Sequence, residues 1–180
     1  MGEDVGDAYF VRRAQDGYVD AYAELVDRHG QLAYRVALRL LGNHHDAEDV
    51  AQEALVTAWQ QLPRFKAGSS FSTWLYRIVT RRALNRITRT RPTKSLDMLG
   101  DITDAGDEPG RHIERDLTVD AVTDAVTALP PPQRIAIVLR HFEGLSNAEI
   151  ARITGSSVPA VRSHLFRGRR TLTETLEEWR

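Results

Sequence analysis

The residues of this chain with chemistry to offer are its arginines, and their placement matters more than their number. Lys and Arg total 24 against 25 Asp and Glu, a formal net charge of −1, so the bulk charge does not point to a polyanion. The distribution does. Arg77, Arg81, Arg82, Arg86, Arg89, Arg91 and Lys94 accumulate with no acidic residue among them. Such like charges repel unless a polyanion or solvent screens them. Just upstream lie Phe65, Phe71, Trp74 and Tyr76, with Lys66 and the short Gly68-Ser69-Ser70 segment. Cations that track a phosphate backbone beside rings able to stack bases describe a single-strand nucleic-acid site. Phe71 and Trp74 also read as core anchors, and for Trp74 that is the stronger reading.

A second basic cluster lies between Glu149 and Arg170 and has the pattern of a helix-turn-helix. Ile150 and Ala151 pack its first helix, and Val161, Leu165, Gly168 and Leu172 form the inner face of the second. That leaves Arg162, Ser163, His164, Arg167, Arg169 and Arg170 outward, the division a DNA-reading helix needs. A plain helical hairpin with a solvated basic face fits the same spacing. A third pattern is acidic: Asp46, Glu48, Asp49, Gln52, Glu53 and Gln60, with Asp49, Gln52 and Glu53 on one side at i, i+3 and i+4. It could dock on a basic protein surface or simply face solvent.

Catalytic constellations are lacking. The sequence has no Walker loop, no G-x-S-x-G elbow and no H-E-x-x-H, so no catalytic residue, metal ligand or cofactor is expected. With no cysteine there is neither a disulfide framework nor a thiolate site. His44 and His45 are adjacent and diverge by roughly 100° on a helix, which suits a helix start better than a shared metal. No run approaches the roughly 20 apolar residues that span a bilayer, and the polar, acidic N-terminus does not read as a secretory signal. The expected setting is cytoplasmic, without membrane insertion.

The elements that must position these residues are all helical. Leu32, Ala33, Val36, Ala37, Leu40 and Leu41 recur at helical spacing, and Gly42 stops the run. Asn43 is the predicted N-cap of the next helix, with Asp46 three residues on. Its apolar stripe is Ala47, Val50, Ala51, Ala54, Leu55, Ala58, Trp59 and Leu62, and Pro63 ends it. After a loop from Arg64 to Ser70, a further helix runs from Phe71 to about Thr88. Periodicity then fails. The stretch Leu96 to Gly110 holds Asp97, Asp101, Asp104, Asp107 and Glu108 with no basic residue, which reads as a flexible linker with an acidic centre. Val119, Val122, Val126 and Leu129 open a second block. Pro130 to Pro132 starts another helix, with Ile135, Val138, Leu139 and Phe142 as its expected buried face. Ser146 and Glu149 form a capping box, Gly155 closes that helix, and Ser157 caps the next, with Pro159 in its first turn. No strand-like alternation competes.

Taken in order, these segments resemble the extracytoplasmic-function (ECF, group IV) sigma factors of bacterial RNA polymerase along nearly the whole chain. The stretches from Tyr22 to Gly30 and from Tyr34 to Gly42 are similar to the start of that family's promoter-melting domain. The run from Asp46 to Glu53 and on to Trp59 matches its most specific motif. Phe71-Ser-Thr-Trp-Leu-Tyr-Arg-Ile78 and the arginine-rich helix after it resemble the −10 segment. Leu129-Pro-Pro-Pro-Gln-Arg134, Glu143 to Ala151 and Val161 to Leu165 resemble the −35-reading domain. Four motifs in the right order make coincidence improbable.

The resemblance implies an all-α protein of two small domains: residues 1–88 (sigma region 2), a linker at 89–116 and residues 117–180 (sigma region 4). It implies a promoter-reading subunit and not an enzyme. Asp46, Asp49, Gln52 and Glu53 would grip the clamp helices of the polymerase's largest subunit. Lys66, Ser69, Ser70, Arg77, Arg81, Arg82, Asn85 and Arg86 would hold −10 DNA. Val158, Pro159, Ala160, Arg162, Ser163, Arg167 and Arg169 would meet −35 DNA. The flap of the second-largest subunit and an anti-sigma factor are the further partners implied. Arg81 and Asn85 stand where the family often has Asn and Asp, and Val158, Pro159 and Ala160 replace more usual polar and glycine residues, so the promoter bases are not legible.

Overall fold

The computed structural model describes residues 6–66, 68–90 and 117–177. The acidic linker expected from the sequence falls almost wholly within 91–116 and lies outside the described residues. Among the described residues every regular element is helical.

Helices α1 (Asp7–Gln15), α2 (Val19–Leu41) and α3 (His44–Gln61) come first, followed by a 3-10 turn (Leu62–Arg64) and α4 (Phe71–Thr90). The central element is α2. Its Leu25, Ala33, Val36, Ala37 and Leu40 are buried, and α1, α3 and α4 all pack on it. Fully burying a leucine or valine contributes roughly 1.5–3 kcal/mol, so this one stripe holds the first three-helix layer together. Gly42 ends α2 in the left-handed region at φ 80°, donating its amide to the Leu38 carbonyl. The sequence expectation for the next turn holds: the Asn43 side chain accepts from the Asp46 amide at 2.8 Å. The stripe of α3 faces inward from Ala47 to Ala58, with Leu62 fully buried below it. Pro63 lies within the 3-10 turn, and Gln15 of α1 donates to the carbonyls of Leu62 and Phe65 at 3.0 and 2.9 Å. That contact anchors the start of the loop carrying Lys66, a role for α1 that periodicity did not disclose.

Helices α5 (Leu117–Ala128) and α6 (Pro131–Ile137), a π turn (Val138–Phe142), α7 (Asn147–Thr154) and α8 (Val158–Glu177) follow. The capping box forms in full, with Ser146 accepting from the Glu149 amide and Glu149 accepting from the Ser146 amide. Gly155 closes α7 at φ 68°, and Ser157 accepts from the Ala160 amide. Ile135, Val138 and Leu139 are buried as expected, but Phe142 is 41% exposed. The wider winding of the π turn rotates the end of the stripe away from the core. The guanidinium of Arg39 lies 4.8 Å from the Phe142 ring centroid.

The two blocks are in contact. Helix α2 packs on α5 and on the π turn, and α4 packs on α6 and α7, so the buried residues form one continuous cluster. No helix of the described residues is long and apolar enough to cross a membrane.

Close approach of α8 to α6 depends on Gly168, where an added Cβ would stand 2.9 Å from Ile137 Cγ1 and 3.3 Å from its Cδ1. Overpacking of this kind costs typically 1–3 kcal/mol. Gly168→Ala is therefore expected to lower the stability of the α6–α8 unit by about that amount, read as a fall in the urea midpoint without a change in slope.

Candidate functional site

The acidic face of α3 and the basic face of α4 lie side by side, because both helices pack their apolar stripes against α2. Arg86 donates to Asp46, and to Asp49 at 3.1 Å. Arg82 donates to Glu53 at 2.9 Å and to the Thr57 hydroxyl at 2.6 Å. The arginine helix therefore does not rely on solvent or an outside polyanion alone: two of its cations are neutralised within the fold. Arg77 and Arg81 belong to the other stripe of α4, about a third of a turn round. Arg77 donates to the Arg152 carbonyl at 3.1 Å, and Arg81 is exposed with no acidic partner among the described residues.

Asp46 serves twice, as the helix-start carboxylate and as the partner of Arg86. The hydrogen bond from Asn43 and then that from Arg86 hold its carboxyl below the usual carboxylate range. His45, Asp46 and Asp49 bring ligand atoms within 4.8 Å of one another. Both carboxylates already accept from Arg86, however, so the arrangement is an ion-pair cluster. Asp49, Gln52, Glu53, Val56 and Gln60 line an open cleft of about 490 Å³, with Val56, 56% exposed, among them. An apolar residue ringed by carboxylates and amides suits a protein surface with an apolar contact and basic rim. Val56 escaped the sequence reading because it lies off the apolar stripe, and an exposed valine on a helix carries no signal by itself.

The second group of residues converges on a cleft of about 360 Å³ lined by Arg64, Phe65, Lys66, Gly68, Ser69, Thr73, Trp74 and Arg77. Phe71 is buried, as its anchor reading required. Trp74 is half-buried, with its ring centroid 4.8 Å from that of Phe65 and 5.8 Å from that of Phe71, and it also forms part of the cleft wall. Ser70 caps α4 by accepting from the Thr73 amide at 3.1 Å, so its hydroxyl is engaged in holding the loop. The result is a small cation-rimmed cavity with aromatic walls. Asn85 is exposed further along α4.

The third group lies on α8. Val161 and Leu165 are buried, while Arg162, Ser163, Arg167, Arg169 and Arg170 are exposed. The exposed Ser157 and Pro159 and the half-buried Val158 form the N-terminal turn. His164 does not join the outer face fully; it lines an apolar cavity with Leu84 of α4 and Ile135 of α6. Arg169 donates to its own helix at Leu165.

Comparison with known proteins now decides the family. Residues 25–93 match the family described as Sigma-70 region 2, and residues 120–172 match Sigma-70, region 4. The chain is 32% identical over 178 residues to the ECF RNA polymerase sigma factor SigW of Bacillus subtilis, covering 93% of this chain and 95% of that protein. This chain belongs to the ECF sigma factors. As such it is a promoter-recognising subunit that acts in transcription initiation. Its fold is similar to that of CnrH solved in complex with the cytosolic domain of CnrY, with TM-score 0.73 and 27% identity over 96% of this chain and 97% of that one. It is also similar to the sigma factor RpoE solved with the anti-sigma factor NepR from Bartonella quintana, with TM-score 0.67 and 26% identity over 87% and 96% of the two chains.

Because the Asp46 carboxyl is held low, its pairing contributes stability above the ordinary aspartate range near 4 and loses it as pH falls toward the lower folded value. Thermal unfolding followed from pH 7 to 3 is expected to show a falling midpoint below about pH 4. Asp46→Asn should be less stable at neutral pH and lose less on that acid limb.

Proposed function

We propose that this ECF sigma factor, of group IV, grips the clamp helices of the largest polymerase subunit through Asp46, Asp49, Gln52 and Glu53. The observation that carries the reading is the open α3 cleft, in which exposed Val56 sits among Asp49, Gln52, Glu53 and Gln60. The working division of the chain is region 2 at 1–88, linker at 89–116 and region 4 at 117–180. The cation-rimmed cleft with Lys66 and Ser69, the adjoining Ser70, and Arg77, Arg81, Arg82, Asn85 and Arg86 along α4 together make the proposed −10 site. Its aromatic walls favour a base turned out of the stack, and binding energy for the open strand offsets unstacking of a few kcal/mol per step. On α8, Val158, Pro159, Ala160, Arg162, Ser163, Arg167 and Arg169 form the proposed −35 reader. Its N-terminal turn enters the major groove while the later arginines meet phosphates.

Region 4 is assigned the flap of the second-largest polymerase subunit. An anti-sigma factor is the expected regulator, supported by the similar sigma factor RpoE, which was solved with the anti-sigma factor NepR. The protein works in the cytoplasm without catalysing a reaction of its own.

Run-off transcription with purified core polymerase on promoter-bearing DNA tests this reading. Starts should depend on the chain, and Asp49→Ala with Glu53→Ala should weaken them roughly tenfold, equivalent to about 1.4 kcal/mol of docking energy. Duplex binding with no dependent starts would instead identify a stand-alone helix-turn-helix regulator.

A further inference from the structure

Glu143, in the turn between the π turn and α7, carries a carboxylate only 1% exposed, and its partners all come from the other block. Arg35 of α2 donates to it at 2.8 and 3.2 Å, Arg39 of α2 at 2.5 Å, and the Tyr76 hydroxyl of α4 at 3.0 Å. A second contact of the same sense lies nearby. Arg134 of α6, 8% exposed, donates to the Leu40 carbonyl at the end of α2 at 2.8 Å. The second block therefore commits two buried charges to the first, Glu143 and Arg134, with the α2 C-terminus at the centre. Gly42 completes the fit, since any Cβ there would stand 2.8 Å from Thr127 Cγ2.

This arrangement places the two DNA-reading helices together. Leu84 of α4 and His164 of α8 line one cavity of about 270 Å³, which as a sphere would be about 8 Å across. On the sigma-factor pattern the two promoter elements lie about two helical turns of DNA apart, a separation of roughly 70 Å. The closed form cannot hold both. Burial across this boundary is also imperfect: the Thr80 hydroxyl of α4, beside Arg77 and Arg81, is buried without a hydrogen-bond partner. An unsatisfied hydroxyl favours any state in which water reaches it.

We propose that Glu143, clasped by Arg35, Arg39 and Tyr76, is the latch of an autoinhibited closed form, and that it must release before both promoter elements can be engaged. The inhibitory consequence rests on the sigma-factor reading of the two DNA faces; the latch itself does not. Charge-assisted bonds to a desolvated carboxylate are strong while complete and costly once one partner is lost, which suits a two-state device.

The chain has no cysteine, so Asp27→Cys and Thr171→Cys give two unique exposed labelling sites, one in each block. Pulsed electron-spin distances in the full free chain should show one narrow population. Glu143→Gln should shift it to a broad, longer one. Arg35→Glu should do the same, and since Arg35 is 47% exposed its replacement does not threaten folding. A broad, long distribution in the unsubstituted chain, or no change in either variant, would overturn the latch. With core polymerase present, binding to a promoter fork carrying both elements should tighten in both variants. If about a tenth of the chain is open at rest, the limit is about tenfold. Longer distances with no gain in affinity would refute the inhibitory role. Absence of binding by every form would count against the sigma reading, and the distances alone would then decide the latch.

Discussion

Burial of the apolar stripe of α2 is the constraint from which the rest of the molecule follows. Leu25, Val36 and Leu40 are fully buried, and a stripe that runs the length of a 23-residue helix cannot be covered by one partner. Helices α1, α3 and α4 cover it from their own block, and α5 with the π turn covers its C-terminal end from the other. Packing α3 and α4 against the same helix brings their polar faces together. The charge arrangement of the functional surface is thus a consequence of where the apolar residues had to go.

That consequence changes how the arginines should be understood. Arg82 and Arg86 face the carboxylates of α3, whereas Arg77 and Arg81 flank the groove against α7. The same acidic residues serve two ends, balancing the basic helix and forming the rim of the proposed docking cleft. Anything basic that docks on Asp49 and Glu53 competes with Arg82 and Arg86 for the same oxygens. These pairs are part-exposed, so each contributes modest stability. Part-exposed pairs can exchange partners at small cost, which buried ones cannot.

Glu143 lies at the opposite extreme. Burial alone would raise its carboxyl, but hydrogen bonds from Arg35 and Tyr76 and the charges of Arg35 and Arg39 outweigh that and hold it below the usual range. The Tyr76 hydroxyl is pushed upward, by burial first and then by the Glu143 charge, so it remains a donor. A carboxylate with three donors from two helices fixes orientation as well as proximity, because each donor constrains a different direction.

Most of the helical architecture was legible in the residues themselves. The cap at Asn43, the box at Ser146 and Glu149, the stops at Gly42 and Gly155 and the inner face of α8 are local events, governed by residues three or four apart, and sequence is sufficient for such events. The acidic stripe and basic runs were legible for the same reason, and so was the resemblance that the family matches bear out. What tertiary structure alone decided are meetings between residues far apart in the chain. Arg82 with Glu53 spans 29 positions, Arg134 with Leu40 spans 94, and Arg35 with Glu143 spans 108. Phe142 went the other way, from expected core to a half-open ring under Arg39, because a π turn changed the phase of its helix. Periodicity says which face of a helix is apolar; which charges then find each other depends on how the helices are stacked, and that information resides in the packing.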